Sequence, residues 1–297
     1  MSTQNKTEKE TEVELFGDLG TTEDGSPVQP VRMAVTDQFC FSCHKDVPCW
    51  NECCHGADIT LTPADILMLC RNLELTPTEF LTRYTVPATW DKADLPVAKL
   101  KMGGADGKGA CHFMNEQGCS VYDFRPSTCR YYPLGLATVK MKGAETKDDF
   151  HFLVKESHCK GHAESKIQTV TEYRDEQGIT AYDEINRGWM DIMMKMASWQ
   201  SLGGPWGEQI TQAKKRMFFM VSTDVDSFRE FVFNTKFLDT YEIDPEAQAI
   251  LKDSDEALLM LGFDWLKNVF FNEPTIQMKE RVLQGAIAQA REEMGAS

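Results

Sequence analysis

Cysteine is the residue of this 297-residue chain best suited to chemistry, and all ten cysteines lie between Cys40 and Cys159. Five of them fall within residues 40–54, which end in the adjacent pair Cys53-Cys54. A thiolate is a soft ligand that suits Zn(II), Cu(I) and iron–sulfur clusters. Zinc takes four ligands, and iron–sulfur clusters are usually held by four cysteines. About eight thiolates therefore indicate two four-ligand sites or one larger cluster.

The adjacent pair Cys53-Cys54 favours a centre with more than one metal atom. Neighbouring side chains diverge in an extended or helical backbone. The two thiolates therefore fit a polynuclear centre, or two separate sites, better than one mononuclear site.

The N-terminal sequence bears on whether these cysteines form disulfides. Residues 1–10 are polar and charged, without the basic start and apolar stretch of a secretory signal. No apolar run approaches the length that a membrane span requires. We therefore expect a cytoplasmic protein, in which clustered cysteines are more often metal ligands or redox groups than disulfides.

The formal net charge of −15 limits the classes of partner. Nucleic acids and anionic lipid surfaces attract basic proteins, so we expect neither a nucleic acid nor a membrane as partner. A protein partner or a protein substrate stays open, and the sequence does not predict the oligomeric state.

Helix starts and apolar spacing predict the elements that position the cysteines. Three capping boxes begin helices at Thr62-Pro63-Ala64-Asp65, Thr76-Pro77-Thr78-Glu79 and Thr169 to Glu172. Strands are predicted over 96–102 and 150–154, with a glycine-rich turn at 103–109.

The C-terminal part is predicted to be helical from about residue 168. Apolar residues recur at helical spacing in five segments: 185–196, 210–220, 228–232, 255–269 and 276–290. The sequence at 202–205 is predicted to end the first of these helices. The methionines of the first segment are assigned to core packing rather than to soft-metal binding.

These elements predict an α+β, helix-rich fold. We expect an irregular cysteine-rich metal-binding domain over 37–165, packed against a helical C-terminal region over 166–297. Residues 1–36, which are polar and acidic, are predicted to form a disordered tail.

The cysteine spacings resemble those of a known family. The pattern is Phe-x-Cys43-His-x4-Cys49-x3-Cys53-Cys54, then Cys111, then Cys119-x-x-Tyr122-x-x-Arg125-Pro126-x-x-Cys129-Arg130-x-Tyr132-Pro133. Over about residues 37–162 it is similar to the YkgJ-type cysteine-cluster family, a zinc- or iron-chelating domain that includes relatives of flagellin lysine N-methylase. The resemblance implies eight metal ligands: Cys43, Cys49, Cys53, Cys54, Cys111, Cys119, Cys129 and Cys159.

Two cysteines need separate treatment. The gap from Cys43 to Cys49 is longer than in the compact form of the motif, and Cys40 lies at the C-x-x-C distance from Cys43. Cys40 therefore stays open as a ligand in place of Cys43. Cys70 falls inside a helical apolar pattern and is assigned to the core.

Histidines and arginines accompany the cysteines. Each of four histidines adjoins a cysteine or the adjacent pair, and a supporting or surface role is favoured over ligation: His44, His55, His112 and His158. Arg125 and Arg130 either offset the negative charge of the thiolates or form ordinary ion pairs, and both interpretations stay open.

The main functional hypothesis is a cysteine-cluster protein that binds an iron–sulfur cluster or zinc. Iron–sulfur would support redox chemistry or electron transfer, whereas an all-sulfur zinc site would be structural. One alternative, a protein-lysine N-methylase, depends on the resemblance alone, because no glycine-rich nucleotide-binding motif is present. The other alternative is an interaction module, a scaffold that binds a partner and is held together by a structural zinc ion. No catalytic residue is assigned.

Overall fold

A computed structural model of the chain describes residues 32–139, 148–201 and 210–293. The predicted tail up to residue 31 and the predicted helix end at 202–205 lie outside these ranges. The fold is α+β and helix-rich, as predicted. No helix in the described ranges is long and apolar enough to cross a bilayer.

The chain forms two compact units, each built from separate stretches of sequence. The first unit consists of Met1–Cys54, Asn115–Gly118 and Thr128–Ile179, and the second of His55–Met114, Cys119–Ser127 and Thr180–Ser297. The domain boundaries drawn from the sequence, at residues 36 and 165, remain a prediction.

The strands of the described ranges are short and pair antiparallel. They are β1 Arg32–Met33, β2 Gln38–Cys40, β3 Thr85–Trp90, β4 Leu95–Leu100, β5 Met114–Asn115, β6 Gly118–Cys119, β7 Leu134–Val139, β8 Asp148–Leu153 and β9 Ile167–Thr169. One sheet has the order β1-β8-β7, and β2-β9, β3-β4 and β5-β6 form two-stranded ladders.

The α-helices of the same ranges are concentrated after residue 170. They are α1 Pro63–Leu73, α2 Pro77–Tyr84, α3 Ser127–Tyr131, α4 Val170–Glu176, α5 Ile179–Ser201, α6 Gln212–Thr223, α7 Val225–Asn234, α8 Phe237–Thr240, α9 Pro245–Asp253, α10 Asp255–Phe271 and α11 Glu280–Glu293. Single 3-10 turns occur at Glu52–Cys54, Tyr122–Phe124 and Gly161–Ala163.

The core of the first unit forms around strand β2. Phe39 and Phe41 pack with Leu134 and Tyr173 in one buried cluster. β2 pairs with β9 so that Phe39 lies opposite Gln168. The contact continues past the ladder, because the Phe41 amide donates to the Lys166 carbonyl and the Ser42 amide donates to the Gly161 carbonyl, each at 3.1 Å.

The core of the second unit is formed by helices α5, α6, α7 and α10. Trp189, Ile192, Phe218, Phe228 and Phe263 are all buried there. The methionines Met193 and Met196 are buried in the same cluster, which confirms their assignment to core packing, and Met190 is exposed. The predicted last helix begins later than expected, at Glu280, and Ile276 is buried in the turn before it.

All three predicted capping boxes are present. At the start of α1 the Thr62 hydroxyl accepts from the Asp65 amide, and the Asp65 carboxylate accepts from the Thr62 amide at 2.9 Å. The threonines that precede α2 and α4 form the same reciprocal pair with Glu79 and Glu172. Local sequence is sufficient to fix these starts, because every partner lies three residues away.

Asp65 has a second role that its capping box does not reveal. Its other carboxylate oxygen accepts from the Ser127 amide at 2.7 Å and from the Ser127 hydroxyl at 2.6 Å. Ser127 is the first residue of α3, which carries Cys129. Asp65 is fully buried, and this burial raises the pKa of its carboxyl, although the hydrogen bonds from Ser127 and Thr62 oppose the rise.

We expect Asp65→Ala to lower the free energy of unfolding by about 3 kcal/mol or more, because it leaves several buried donors without an acceptor. Urea denaturation measures this loss. Glu79→Ala is the matched control, since it removes the acid of an exposed capping box and should cost about 1 kcal/mol or less. Equal losses in the two variants would show that the contact with Ser127 contributes nothing.

Candidate metal centre

The predicted ligands are divided between the two units. Cys111 and Cys119 belong to the second unit, and the first unit holds Cys43, Cys49, Cys53, Cys54, Cys129 and Cys159. All ten cysteines fall in the described ranges, where no disulfide joins them.

Consecutive tight turns wind residues 44–54 into a compact loop, called here the cysteine loop. Four amides each donate to the carbonyl three residues earlier, at 2.9–3.1 Å: Val47 to His44, Trp50 to Val47, Glu52 to Cys49 and Cys54 to Asn51. The turn from Cys49 to Glu52 has a positive φ at its third residue, Asn51, of 66°. Asparagine tolerates this left-handed conformation better than most residues.

Two side chains anchor the cysteine loop. Val47 is buried. The ring of Trp50 lies against Gly118, where an added Cβ would be only 2.7 Å from the ring carbon Cζ2. Gly118 also has a φ of 116°, which residues with a side chain rarely adopt. Both the contact with Trp50 and the backbone conformation therefore require glycine at this position.

Residues 156–160 meet the cysteine loop from a distant part of the sequence. The Lys160 amide donates to the sulfur of Cys49 at 3.1 Å. A further turn, from the Cys159 amide to the Glu156 carbonyl at 3.0 Å, shapes this segment. The contact joins residues 111 positions apart and brings Cys159 into the region of Cys49.

Cys53 is the thiol best prepared to ionise. Its pKa falls from an ordinary value of 9.0 to about 7, chiefly because the Cys54 thiol donates a hydrogen bond to it. A backbone amide and the nearby His158 also lower the pKa, whereas burial and the charge of Glu156 raise it. A large fraction of Cys53 is therefore thiolate at neutral pH, which is the form that binds metal.

Cys111 and Cys119 are neighbours within the second unit. Cys111 forms an isolated bridge with Met102, and the Ser120 amide folds back to the Phe113 carbonyl at 2.7 Å. Burial raises the pKa of the Cys111 thiol, and the charge of Cys119 raises it further. Cys111 is therefore still protonated at a pH at which Cys53 has ionised.

The remaining cysteines differ in burial. Cys70 is buried in α1, and burial followed by the charge of Asp226 raises its pKa to about 12, so its assignment to the core is confirmed. Cys40 and Cys43 are both exposed, so burial does not decide between them as ligands. Cys129 is half-buried in α3.

The predicted accompanying side chains have contacts of their own. Arg125 lies over the Tyr122 ring at 3.9 Å and donates to the Tyr122 carbonyl at 2.6 Å. Arg130 donates to the Gln177 carbonyl. Nε2 of His44 lies 3.2 Å from a carboxylate oxygen of Glu164. His112 packs edge-on to Tyr84, and His55 forms an isolated bridge with Ala110.

Each unit brings some of the thiols into local contact: Cys53 with Cys54 in the first unit, and Cys111 with Cys119 in the second. Within the described ranges, no three or more His, Cys, Asp or Glu side chains are close enough together to hold a metal ion. The donor chemistry nevertheless fits zinc or iron–sulfur, because Cys49 already accepts an amide hydrogen bond and Cys53 ionises readily. Neutral thiols do not attract one another, and their closure onto an ion is coupled to loss of their protons.

Sequence reasoning missed three groups that contact the predicted ligands or the helix carrying one. They are the Lys160 amide, the Tyr132 hydroxyl and the second oxygen of Asp65. Tyr132 is part of the motif, but nothing in the spacing indicates where its hydroxyl lies. A backbone amide leaves no signal in a sequence.

In metal-free protein, we expect iodoacetamide to modify Cys53 about tenfold faster than Cys111 at pH 7, because the pKa is lowered for Cys53 and raised for Cys111. The rate at Cys53 should rise with pH and reach half its maximum near pH 7. Peptide mass spectrometry reports each site separately, and buried Cys70 is the unreactive control. Equal rates at Cys53 and Cys111 would contradict the electrostatic account.

Comparison with known proteins agrees with this chemistry. Residues 42–160 match the family model CxxCxxCC, described as "Putative zinc- or iron-chelating domain". No curated protein and no solved structure matches the chain. The matched range contains all eight predicted ligands and ends beside the amide that contacts Cys49. Residues 42–160 of this chain therefore match a cysteine-cluster domain model, in line with the resemblance of its motifs to the YkgJ-type family.

Proposed function

We propose that this protein binds an iron–sulfur cluster or zinc through cysteine thiolates. The observation that carries the proposal is the contact between the cysteine loop and residues 156–160, made by the Lys160 amide on the sulfur of Cys49. Cysteines more than a hundred positions apart have no reason to converge in a protein that uses them only for packing. The family match to a zinc- or iron-chelating domain supports the same conclusion.

The ligands in this proposal are the eight cysteines of the motif: Cys43, Cys49, Cys53, Cys54, Cys111, Cys119, Cys129 and Cys159. Ligation by sulfur alone leaves no open position for a catalytic water, so zinc would stabilise the fold and an iron–sulfur cluster would carry electrons. A redox or electron-transfer role belongs to the iron–sulfur form only. The methylase and interaction-module alternatives remain predictions.

Hydrogen bonds to the sulfurs support the proposal further. Each thiolate adds a negative charge to a chain whose formal charge is already −15. The Lys160 amide and the Cys54 thiol both donate to sulfur, so they offset part of that charge without an added cation. Donors of this kind orient thiolate ligands and tune the potential of the metal.

Anaerobic purification with elemental analysis and visible spectroscopy tests the proposal. We expect stoichiometric iron and inorganic sulfide with broad visible absorption, or stoichiometric zinc in a colourless protein. Cys53→Ser and Cys54→Ser should each lower the bound metal at least about tenfold, because both remove a proposed ligand.

Cys70→Ala is the matched control, since this thiol is buried in the core of the second unit and should not affect metal content. Circular dichroism of each variant monitors the fold. Wild-type protein without zinc or iron would overturn the proposal, and so would full metal content in both the Cys53 and the Cys54 variants.

A further inference from the structure

The hydroxyl of Tyr132 is buried at the edge of the candidate metal centre. It is closed to solvent, and no group in the described ranges forms a hydrogen bond of normal geometry with it. A buried hydroxyl without a partner costs stability, and such groups are rare in folded proteins. Its position therefore requires an explanation.

The ring of Tyr132 is fixed on several sides, so the hydroxyl does not swing out to water. The ring packs edge-on against Phe41 with centroids 6.1 Å apart. The hydroxyl of Tyr173 donates to the Tyr132 carbonyl, and the Val154 amide donates to the Pro133 carbonyl at 2.8 Å. The backbone and the ring are thus held independently of the hydroxyl.

The acidic groups beside the hydroxyl are Cys159 and Glu156. Both side chains lie within contact distance of the Tyr132 hydroxyl. Tyr132 and Cys159 also pack against the same buried cluster around Phe39 and Phe41. A neutral thiol is a weak acceptor, whereas a thiolate sulfur accepts strongly.

We propose that Tyr132 donates a hydrogen bond to the sulfur of Cys159 when that sulfur binds metal, and that it is thereby a positioning residue of the centre. This inference rests on the proposed function. The hydrogen bond supplies the missing partner of the hydroxyl, orients one ligand and reduces the negative charge on its sulfur.

Co(II) substitution of the purified full-length protein tests the inference, because its sulfur-to-cobalt charge-transfer bands report the electron density on the ligands. Tyr132→Phe should shift these bands to lower energy and weaken Zn(II) binding at least about tenfold in competition with a chromophoric chelator. Tyr122→Phe is the matched control, since its side chain is exposed in the second unit, and it should change neither quantity.

A second substitution preserves the aromatic ring. Incorporation of 3-fluorotyrosine at position 132 makes the hydroxyl a stronger donor and should shift the charge-transfer bands to higher energy. If Tyr132→Phe does not fold, the band shift of the 3-fluorotyrosine variant tests the hydrogen bond on its own. Bands that stay at the wild-type energy in the folded variants would overturn the inference.

The two proposals fail in different ways. Wild-type protein that holds neither zinc nor iron after anaerobic purification, and takes up neither Co(II) nor Zn(II), would refute the proposed function, and the inference with it. Wild-type protein that binds both ions, with a Tyr132→Phe variant of equal affinity and equal spectrum, would refute the role of Tyr132 alone.

Discussion

The backbone hydrogen bonds between residues 38–42 and 161–169 hold the first unit together. β2 and β9 pair over three residues each, and the amides of Phe41 and Ser42 extend the contact to Gly161. A Cβ on Gly161 would lie 2.7 Å from the Ser42 carbonyl oxygen, so the approach is this close only because the residue is glycine. The ladder places residues 43–54 and 156–160, which follow and precede it, side by side. Without the β2–β9 ladder, the cysteines near residue 49 and Cys159 would not be held close together.

Neutral donors contact three of the sulfurs. The Lys160 amide reaches Cys49, the Cys54 thiol reaches Cys53, and the Tyr132 hydroxyl lies beside Cys159. The motif arginines donate to the carbonyls of Tyr122 and Gln177. Neutral donors hold a sulfur in place without fixing the total charge of the centre, which suits a site whose charge changes when metal binds.

The sequence predicts features that depend on neighbours a few residues apart. The three capping boxes, the helical core residues and the burial of Cys70 were all accessible from local spacing. Contacts between distant residues were not: the bond from Ser127 to Asp65 spans 62 positions, and nothing in either segment specifies its partner. The family resemblance names candidate ligands, but the meeting of residues 43–54 with residues 156–160 depends on the β2–β9 register, which no local pattern encodes. The lowered pKa of Cys53 comes chiefly from the adjacent Cys54, and only a smaller part comes from His158, far along the chain.

The β2–β9 pairing also orders events during synthesis. The ribosome releases Cys54 well before Cys159, which lies 105 positions later (159 − 54). At about 5–20 residues per second, this interval lasts about 5–20 s. During this interval the nascent chain carries the thiols of residues 40–54 without residues 156–169. An ion that binds to those thiols at this stage is not yet enclosed by the later segment. Any step that needs both segments therefore waits until β9 joins β2.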